Sequence, residues 1–153
     1  MDVKNKTLGQ SMAEVALDNA IERYYLSPSE DSFHLVCDQL VRAYVLNLTV
    51  ICPFEIVEGG MRRKMYTTPD YGDAFVVYTG FDKNPEEEKS MSYGYMPWRT
   101  VLSKAAETWN CTGIVINPYS GHETLVWINH MYARIIINFA MEDIQKMNGE
   151  IEK

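Results

Sequence analysis

The sequence predicts an α+β fold in which a mixed β-sheet is flanked by helices within a single domain, residues 1–153. Three observations lead to this prediction. Apolar residues recur every three or four positions in the first 45 residues, which indicates amphipathic helices. Two short runs, 74–79 and 113–117, are apolar almost throughout, which is typical of strands covered on both faces. Gly and Pro clusters between these segments indicate turns.

Two helices are predicted before the first strand. The buried stripe of the first consists of Ala13, Ala16, Leu17, Ala20, Ile21 and Tyr24. Pro28 ends it, because the residue before a proline avoids helical dihedrals. Asp31 or Ser32 is the expected N-cap of the second helix, whose stripe is Phe33, Val36, Cys37, Leu40, Val41 and Tyr44. Alternating apolar residues then predict a strand over 46–54, with Pro53 at its end or on a sheet edge.

The central part of the chain reads as short strands joined by turns. Gly59-Gly60 and the segment 69–72 carry turn chemistry, and 61–68 between them is expected to be a short strand. The acidic segment 82–90 is expected to be a solvated loop or helical turn, and 93–96 another short strand.

The last third of the chain is predicted to alternate helix, strand, strand and helix. Pro97 stands where a helix can begin, and its apolar stripe is Val101, Leu102, Ala105, Ala106 and Trp109. Asn117-Pro118 stops the strand that starts at Gly113, and a short strand follows around Leu125 and Trp127. The C-terminal segment 129–153 is expected to be helical to about Met147 and to end at Gly149. Three consecutive isoleucines, 135–137, could equally form a strand.

Composition and charge exclude several partners. The chain carries 14 basic and 21 acidic residues, a net charge of −7, which argues against nucleic acid and anionic membranes as partners. No apolar run approaches the roughly 20 residues of a membrane span, and the polar start, Met1–Gln10, does not resemble a secretory signal. Three cysteines without paired spacing suggest free thiols in a reducing compartment. We therefore expect a cytoplasmic protein without a cofactor.

Motifs for catalysis and metal binding are incomplete. His122-Glu123 begins like an HExxH zinc helix, but Val126 stands in place of the second histidine. Ser120 follows a strand and a turn, yet it lacks the flanking glycines of a nucleophile elbow. Cys52 and Cys111 are interpreted as small core residues. No metal site and no phosphate-binding loop are predicted, and a weak hydrolase using Ser120, His122 and Glu123 remains an alternative.

Tyrosine provides the positive signal. The chain has ten tyrosines, and five of them fall between residues 66 and 95. Because tyrosine combines a large rigid contact area with a polar tip, it is enriched at protein interfaces. The candidate interaction surface consists of Tyr66, Tyr71, Asp73, Tyr78, Tyr93 and Tyr95. The alternative is that these tyrosines simply cover the sheet with their hydroxyls in water.

The order of motifs resembles a known family. The strand into Cys52-Pro53-Phe54, the strand 74–81, the helix after Pro97 and the strand 113–119 together resemble the N-terminal domain of the bacterial SseB-like (enhanced serine sensitivity) family. The similarity covers about residues 18–128. The corner Tyr78-Thr79-Gly80 keeps the threonine of the family's Phe-Thr-Ser-like corner but not its other two residues. The resemblance implies an α+β domain without an established enzyme activity and without catalytic residues to transfer.

These observations favour a non-catalytic binding or regulatory module that acts through protein–protein contacts. The apolar segment 135–141 also makes a homodimer possible. The alternative from another class is an immunity protein or secretion chaperone, because a small acidic protein suits a basic toxin or effector.

Overall fold

The computed structural model describes residues 6–68, 72–80, 92–107, 113–118 and 125–152. Within these ranges the fold is α+β, as predicted, with helices and two small sheets. The helices are α1 (Leu8–Leu26), α2 (Glu30–Val45), α3 (Trp98–Glu107) and α4 (His130–Glu152). The strands are β1 (Thr49–Val57), β2 (Gly60–Arg63), β3 (Met65–Thr68), β4 (Gly72–Val77), β5 (Ser92–Pro97), β6 (Gly113–Ile116) and β7 (Val126–Asn129).

Capping boxes start the first two helices. In α1 the Thr7 hydroxyl accepts the N–H of Gln10 at 3.0 Å, and the Gln10 side chain accepts the N–H of Thr7 at 3.0 Å. In α2 the same reciprocal pair joins Ser29 and Ser32. The prediction of Asp31 or Ser32 as the N-cap was therefore wrong. Ser29 is the extended residue before the helix, and Ser32 completes the box from its first turn.

The two sheets have the strand orders β2-β1-β5 and β3-β4-β6-β7. β4 and β6 pair in parallel, and the other pairs are antiparallel. Ile51 of β1 and Tyr78, just beyond β4, exchange backbone hydrogen bonds of 3.0 and 2.8 Å and so join the sheets. Both predicted fully covered strands are confirmed, since β6 is buried throughout and β4 is buried from Ala74 onward.

Pro53 lies inside β1, not at its end. The prediction that β1 stops at this proline or lies on a sheet edge was wrong, because β1 continues to Val57 and pairs with both β2 and β5. The predicted strand over 61–68 is interrupted at Lys64, where the chain leaves β1 and begins to pair with β4. Pro53 is tolerated because the N–H that it lacks would bind the carbonyl of Lys64, and that carbonyl accepts a hydrogen bond from Val76 of β4 instead.

The four helices pack against one face of the strands. One core cluster combines helix residues with alternate strand residues, among them Leu17, Leu40, Leu102, Ile136, Val50, Val77, Ile114 and Ile128. The intervening strand residues Ile51, Val76 and Val115 belong to separate clusters on the opposite face. In the helical layer α1 contacts α2, α2 contacts α4, and α4 contacts α3.

The C-terminal helix is longer than predicted. α4 begins at His130 and continues through Gly149 to Glu152. The segment 135–137 is helical, with Ile136 buried in the core and Ile135 facing outward. The buried positions Ala133, Ile136 and Ala140 are three and four residues apart, so amphipathic spacing prevails over the β-propensity of the isoleucines.

Candidate functional site

Three of the predicted tyrosines meet on the sheet face opposite the helices. Tyr66 of β3 and Tyr93 of β5 pack against the cluster formed by Ile51, Val76 and Tyr78. Tyr95 follows two residues after Tyr93 on β5, pairs with Ile51 and is 53% exposed. Alternation along a strand places Tyr93 and Tyr95 on the same face. We call the surface formed by Tyr66, Tyr93 and Tyr95 over this cluster the tyrosine face.

The other predicted surface residues do not join them. Tyr78 is completely buried and therefore supports the tyrosine face from below instead of presenting itself to solvent. Asp73 is exposed, but strand alternation puts it on the same side of β4 as Phe75 and Val77, whereas Tyr78 lies on the opposite side. Tyr71 lies outside the described residues. Residues that are neighbours in the sequence therefore lie on opposite faces of the sheet.

A small ion-pair network borders the tyrosine face. Glu55 of β1 pairs with Arg62 Nε at 3.0 Å and with Lys64 Nζ at 3.5 Å. Glu55, Arg62 and Lys64 lie on the same side as Ile51 and Tyr66 by strand alternation. The hydrogen bond from Arg62 holds the pKa of Glu55 below its ordinary value, with Lys64 contributing. Among the residues that the structure describes, this network contains one carboxylate and two cations and so carries a net charge of +1.

The carboxyl ends of the parallel strands β4 and β6 are tied together by a buried asparagine. Asn117 is 3% exposed and has a positive φ of 51°. Its side chain accepts the N–H of Thr79 at 3.1 Å and donates to the Thr79 hydroxyl at 3.0 Å. Carboxyl ends of parallel strands often bind ligands. Here the polar groups of Asn117 that face Thr79 are used for structure.

A cavity of about 170 Å³ adjoins Tyr95 between α1 and the end of β4. Its polar lining includes Lys6 and Glu14, which pair with each other at 2.7 Å. This volume is below the roughly 300–1,000 Å³ of typical small-molecule sites. The cavity thus offers little room for a substrate, and the lysine in its lining is already paired with Glu14.

Cys52 has the surroundings of a core thiol. It is fully buried, and burial raises its pKa above the ordinary value even though Arg63 acts in the opposite direction. Arg63 Nη2 lies 3.4 Å from the sulfur, and its guanidinium stacks 4.2 Å above the Phe75 ring. A nucleophilic cysteine needs a lowered pKa and access to solvent. Cys52 has neither.

The remaining catalytic and metal-binding candidates lie elsewhere in the chain. Ser120, His122, Glu123 and Cys111 lie outside the described residues. Among the residues that are described, no group of three or more His, Cys, Asp or Glu side chains could hold a metal ion. Within the same ranges, none of the helices is both long enough and apolar enough to cross a membrane.

A second concave feature, larger than the cavity beside Tyr95, was not predicted. A groove runs between α2 and α4, with two adjoining cavities of about 400 and 550 Å³ that share Asp38 and Val41. One wall carries Ile135 and Phe139, which are 40% and 56% exposed. Exposed apolar residues at positions 131, 135 and 139 were a possible signal, because a spacing of four marks one helix face. The three-isoleucine run concealed it, since it left open whether this segment was helix or strand.

Comparisons with protein-family models, with curated proteins and with solved structures found no match.

Proposed function

We propose that this chain is a small cytoplasmic, non-catalytic module of the SseB-like type, which works by binding another protein through the tyrosine face. One observation carries the proposal: tyrosines from two different strands converge over one buried cluster on the face that the four described helices leave uncovered. Rigid aromatic side chains on a sheet give a large contact area at a low cost in conformational entropy.

The mixture of burial and exposure supports a binding role. Tyr66 and Tyr93 are half-buried, so their positions are fixed by the cluster beneath them, while Tyr95 projects at the border. Fixed aromatic anchors surrounded by polar residues are the common pattern of binding hot spots. The pair of Glu55 and Arg62 supplies such a polar rim.

The charge of the rim favours one kind of partner. Glu55, Arg62 and Lys64 sum to one positive charge, so this border complements a neutral or mildly acidic segment. An immunity protein or secretion chaperone for a basic effector would instead present carboxylates at its binding face. The rim therefore supports the regulatory module over that alternative.

Site-specific photo-crosslinking in cells tests the proposal. A photoreactive phenylalanine derivative at position 95 is expected to give one discrete adduct with another protein, identified by mass spectrometry. The control is the same amino acid at Lys104, which is exposed on α3 on the helical side of the molecule. Adducts should be absent or different there.

Substitutions test the same proposal through the binding affinity. With the captured partner purified, Tyr95→Ala and Arg62→Glu are expected to weaken binding at least tenfold, because a hot-spot truncation costs about 2 kcal/mol or more and about 1.4 kcal/mol corresponds to tenfold. Lys104→Glu should leave the affinity unchanged. No adduct at position 95, or unchanged affinity in both variants, would overturn the proposal.

A further inference from the structure

The outward face of α1 has an unusual composition. Its exposed positions between residues 8 and 19 are all uncharged, namely Leu8, Gly9, Ser11, Met12, Val15 and Asn19. Leu8, Met12 and Val15 are 77%, 61% and 59% exposed. A helix that faces water normally carries charged residues there, and 23% of this chain is charged. The i, i+4, i+7 spacing is also that of the anchors of a helix that docks into a groove.

The groove between α2 and α4 matches this stripe in polarity. Its apolar walls include Cys37 and Val41 of α2, and Ile135 and Phe139 of α4. The charged residues along the groove balance one another, since Asp38 and Asp143 are accompanied by Arg42 and Lys146. The groove is therefore electrically near neutral on a chain of net charge −7, and it suits a neutral apolar helix.

The groove and the uncharged face of α1 also have similar lengths. The groove follows α2 from His34 to Val45, which is about 16 Å at the helical rise per residue. The uncharged face of α1 from Leu8 to Asn19 is about 16 Å long by the same measure.

We propose that a second copy of this chain occupies the groove, with the Leu8-Met12-Val15 stripe of each protomer docked between α2 and α4 of its partner. The order of helices in the layer permits this arrangement. Because α2 lies between α1 and α4, a twofold axis parallel to α2, on the solvent side of the helical layer, brings α1 of each copy over the groove of the other. Both grooves are then filled by one operation, so the assembly closes at a dimer.

This interface uses the helical layer and leaves the opposite sheet face free. It is therefore independent of the tyrosine face, and either proposal can fail without the other. Net charge provides a further expectation. Two copies of charge −7 repel each other, whereas the contacting faces are neutral, so added salt screens the repulsion and strengthens the dimer. A charge-steered complex would respond in the opposite way.

Sedimentation equilibrium of the full chain between about 1 and 50 µM tests the proposal. The expected mass is twice the chain mass of 17.6 kDa. Met12→Glu and Phe139→Glu are each expected to weaken the dimer at least tenfold, and both sites are exposed enough to leave the fold intact. Ile56→Glu is the matched control, because Ile56 is 79% exposed on the β1–β2 hairpin and should leave the mass unchanged.

Crosslinking between copies tests the geometry. Met12→Cys and Ile135→Cys proteins, each with Cys37→Ser and Cys111→Ser, are treated with a short bismaleimide separately and as a mixture. The mixture is expected to give a crosslinked dimer, and each protein alone should give little. A monomer at every concentration overturns the proposal. So does a dimer that neither Met12→Glu nor Phe139→Glu weakens, or one in which Met12→Cys crosslinks to itself.

Discussion

Lys64 donates its backbone N–H to the carbonyl of Pro53 at 3.0 Å, and Pro53 has no N–H to donate in return. In a regular antiparallel ladder the two residues would exchange both bonds. The carbonyl of Lys64 accepts instead from the N–H of Val76, at 3.3 Å. Pro53 thus leaves one acceptor available, and that acceptor connects the hairpin of β1 and β2 to β4.

Replacing Pro53 by alanine tests this account. Pro53→Ala supplies an N–H that competes with Val76 for the Lys64 carbonyl. It also increases the conformational entropy of the unfolded chain. We expect a loss of about 1 kcal/mol in urea denaturation and faster hydrogen exchange at the Val76 amide. Pro28→Ala, in the exposed connection between α1 and α2, is the control, because it changes the entropy of the unfolded chain without affecting the Lys64 carbonyl. Unchanged Val76 exchange would contradict the account.

Asn117 joins the ends of β4 and β6, and its substitutions separate two contributions. Asn117→Gly removes the side-chain hydrogen bonds to Thr79 but accepts the positive φ of 51° without strain. Asn117→Ala loses the same bonds and adds a left-handed penalty of about 1–2 kcal/mol. The free energy of unfolding is therefore expected to fall further in the alanine variant than in the glycine variant. Equal losses would show that φ strain does not contribute.

Gly113 pairs with Asn129 of β7 and lies close against the β7 backbone. A Cβ at this position would lie 2.0 Å from the Ile128 carbonyl oxygen, and the φ of +135° excludes most other residues. Gly113→Ala should cost more than about 3 kcal/mol by thermal or urea unfolding, because the backbone must move to make room. Gly149→Ala in α4 meets no atom within 4 Å and is expected to raise stability by up to about 1 kcal/mol. A tolerated Gly113→Ala would contradict this packing.

The ion pairs of Glu55 make stability depend on pH. Its pKa is lower in the folded state than in the unfolded chain, mainly because of the hydrogen bond from Arg62. The stabilisation is therefore present above the unfolded pKa of about 4.3 and is lost as the pH falls through the lower folded value. In pH-resolved unfolding, Glu55→Gln should be less stable than the natural chain at pH 7. The difference should shrink progressively in acid, as the pH falls through the lower folded pKa of Glu55. A difference that persists in acid would assign the effect to something other than the charge.

Local sequence patterns were sufficient for most elements. Three- and four-residue spacing identified α1 and α2, and the apolar runs identified β4 and β6, because burial of these segments is periodic or complete. β1 could not be bounded in this way. Whether a strand tolerates a proline depends on what lies opposite its missing N–H, and at Pro53 that partner is eleven residues away, at Lys64.

The candidate site was only partly predictable for a related reason. The tyrosine-rich segment could be found by composition, but the strand face of each residue depends on pairing. Tyr78 becomes a core residue because it pairs with Ile51, and Asp73 points to the other side of β4. The α2–α4 groove depends on the order of helices in a layer, a tertiary property that no local pattern contains.

Tyr25, on α1, has a consequence for the order in which the protein can fold. Its hydroxyl donates to the carbonyl of Ile116 at 2.5 Å and accepts the N–H of Val126 at 3.1 Å. These partners are 91 and 101 residues further along the chain. Because α1 precedes β6 and β7 in the chain, its buried hydroxyl gains the second of these two partners only after residue 126 has been synthesised. The hydrogen bonds that join α1 to the sheet are therefore completed only late in synthesis, long after α2, the main packing partner of α1, has been made.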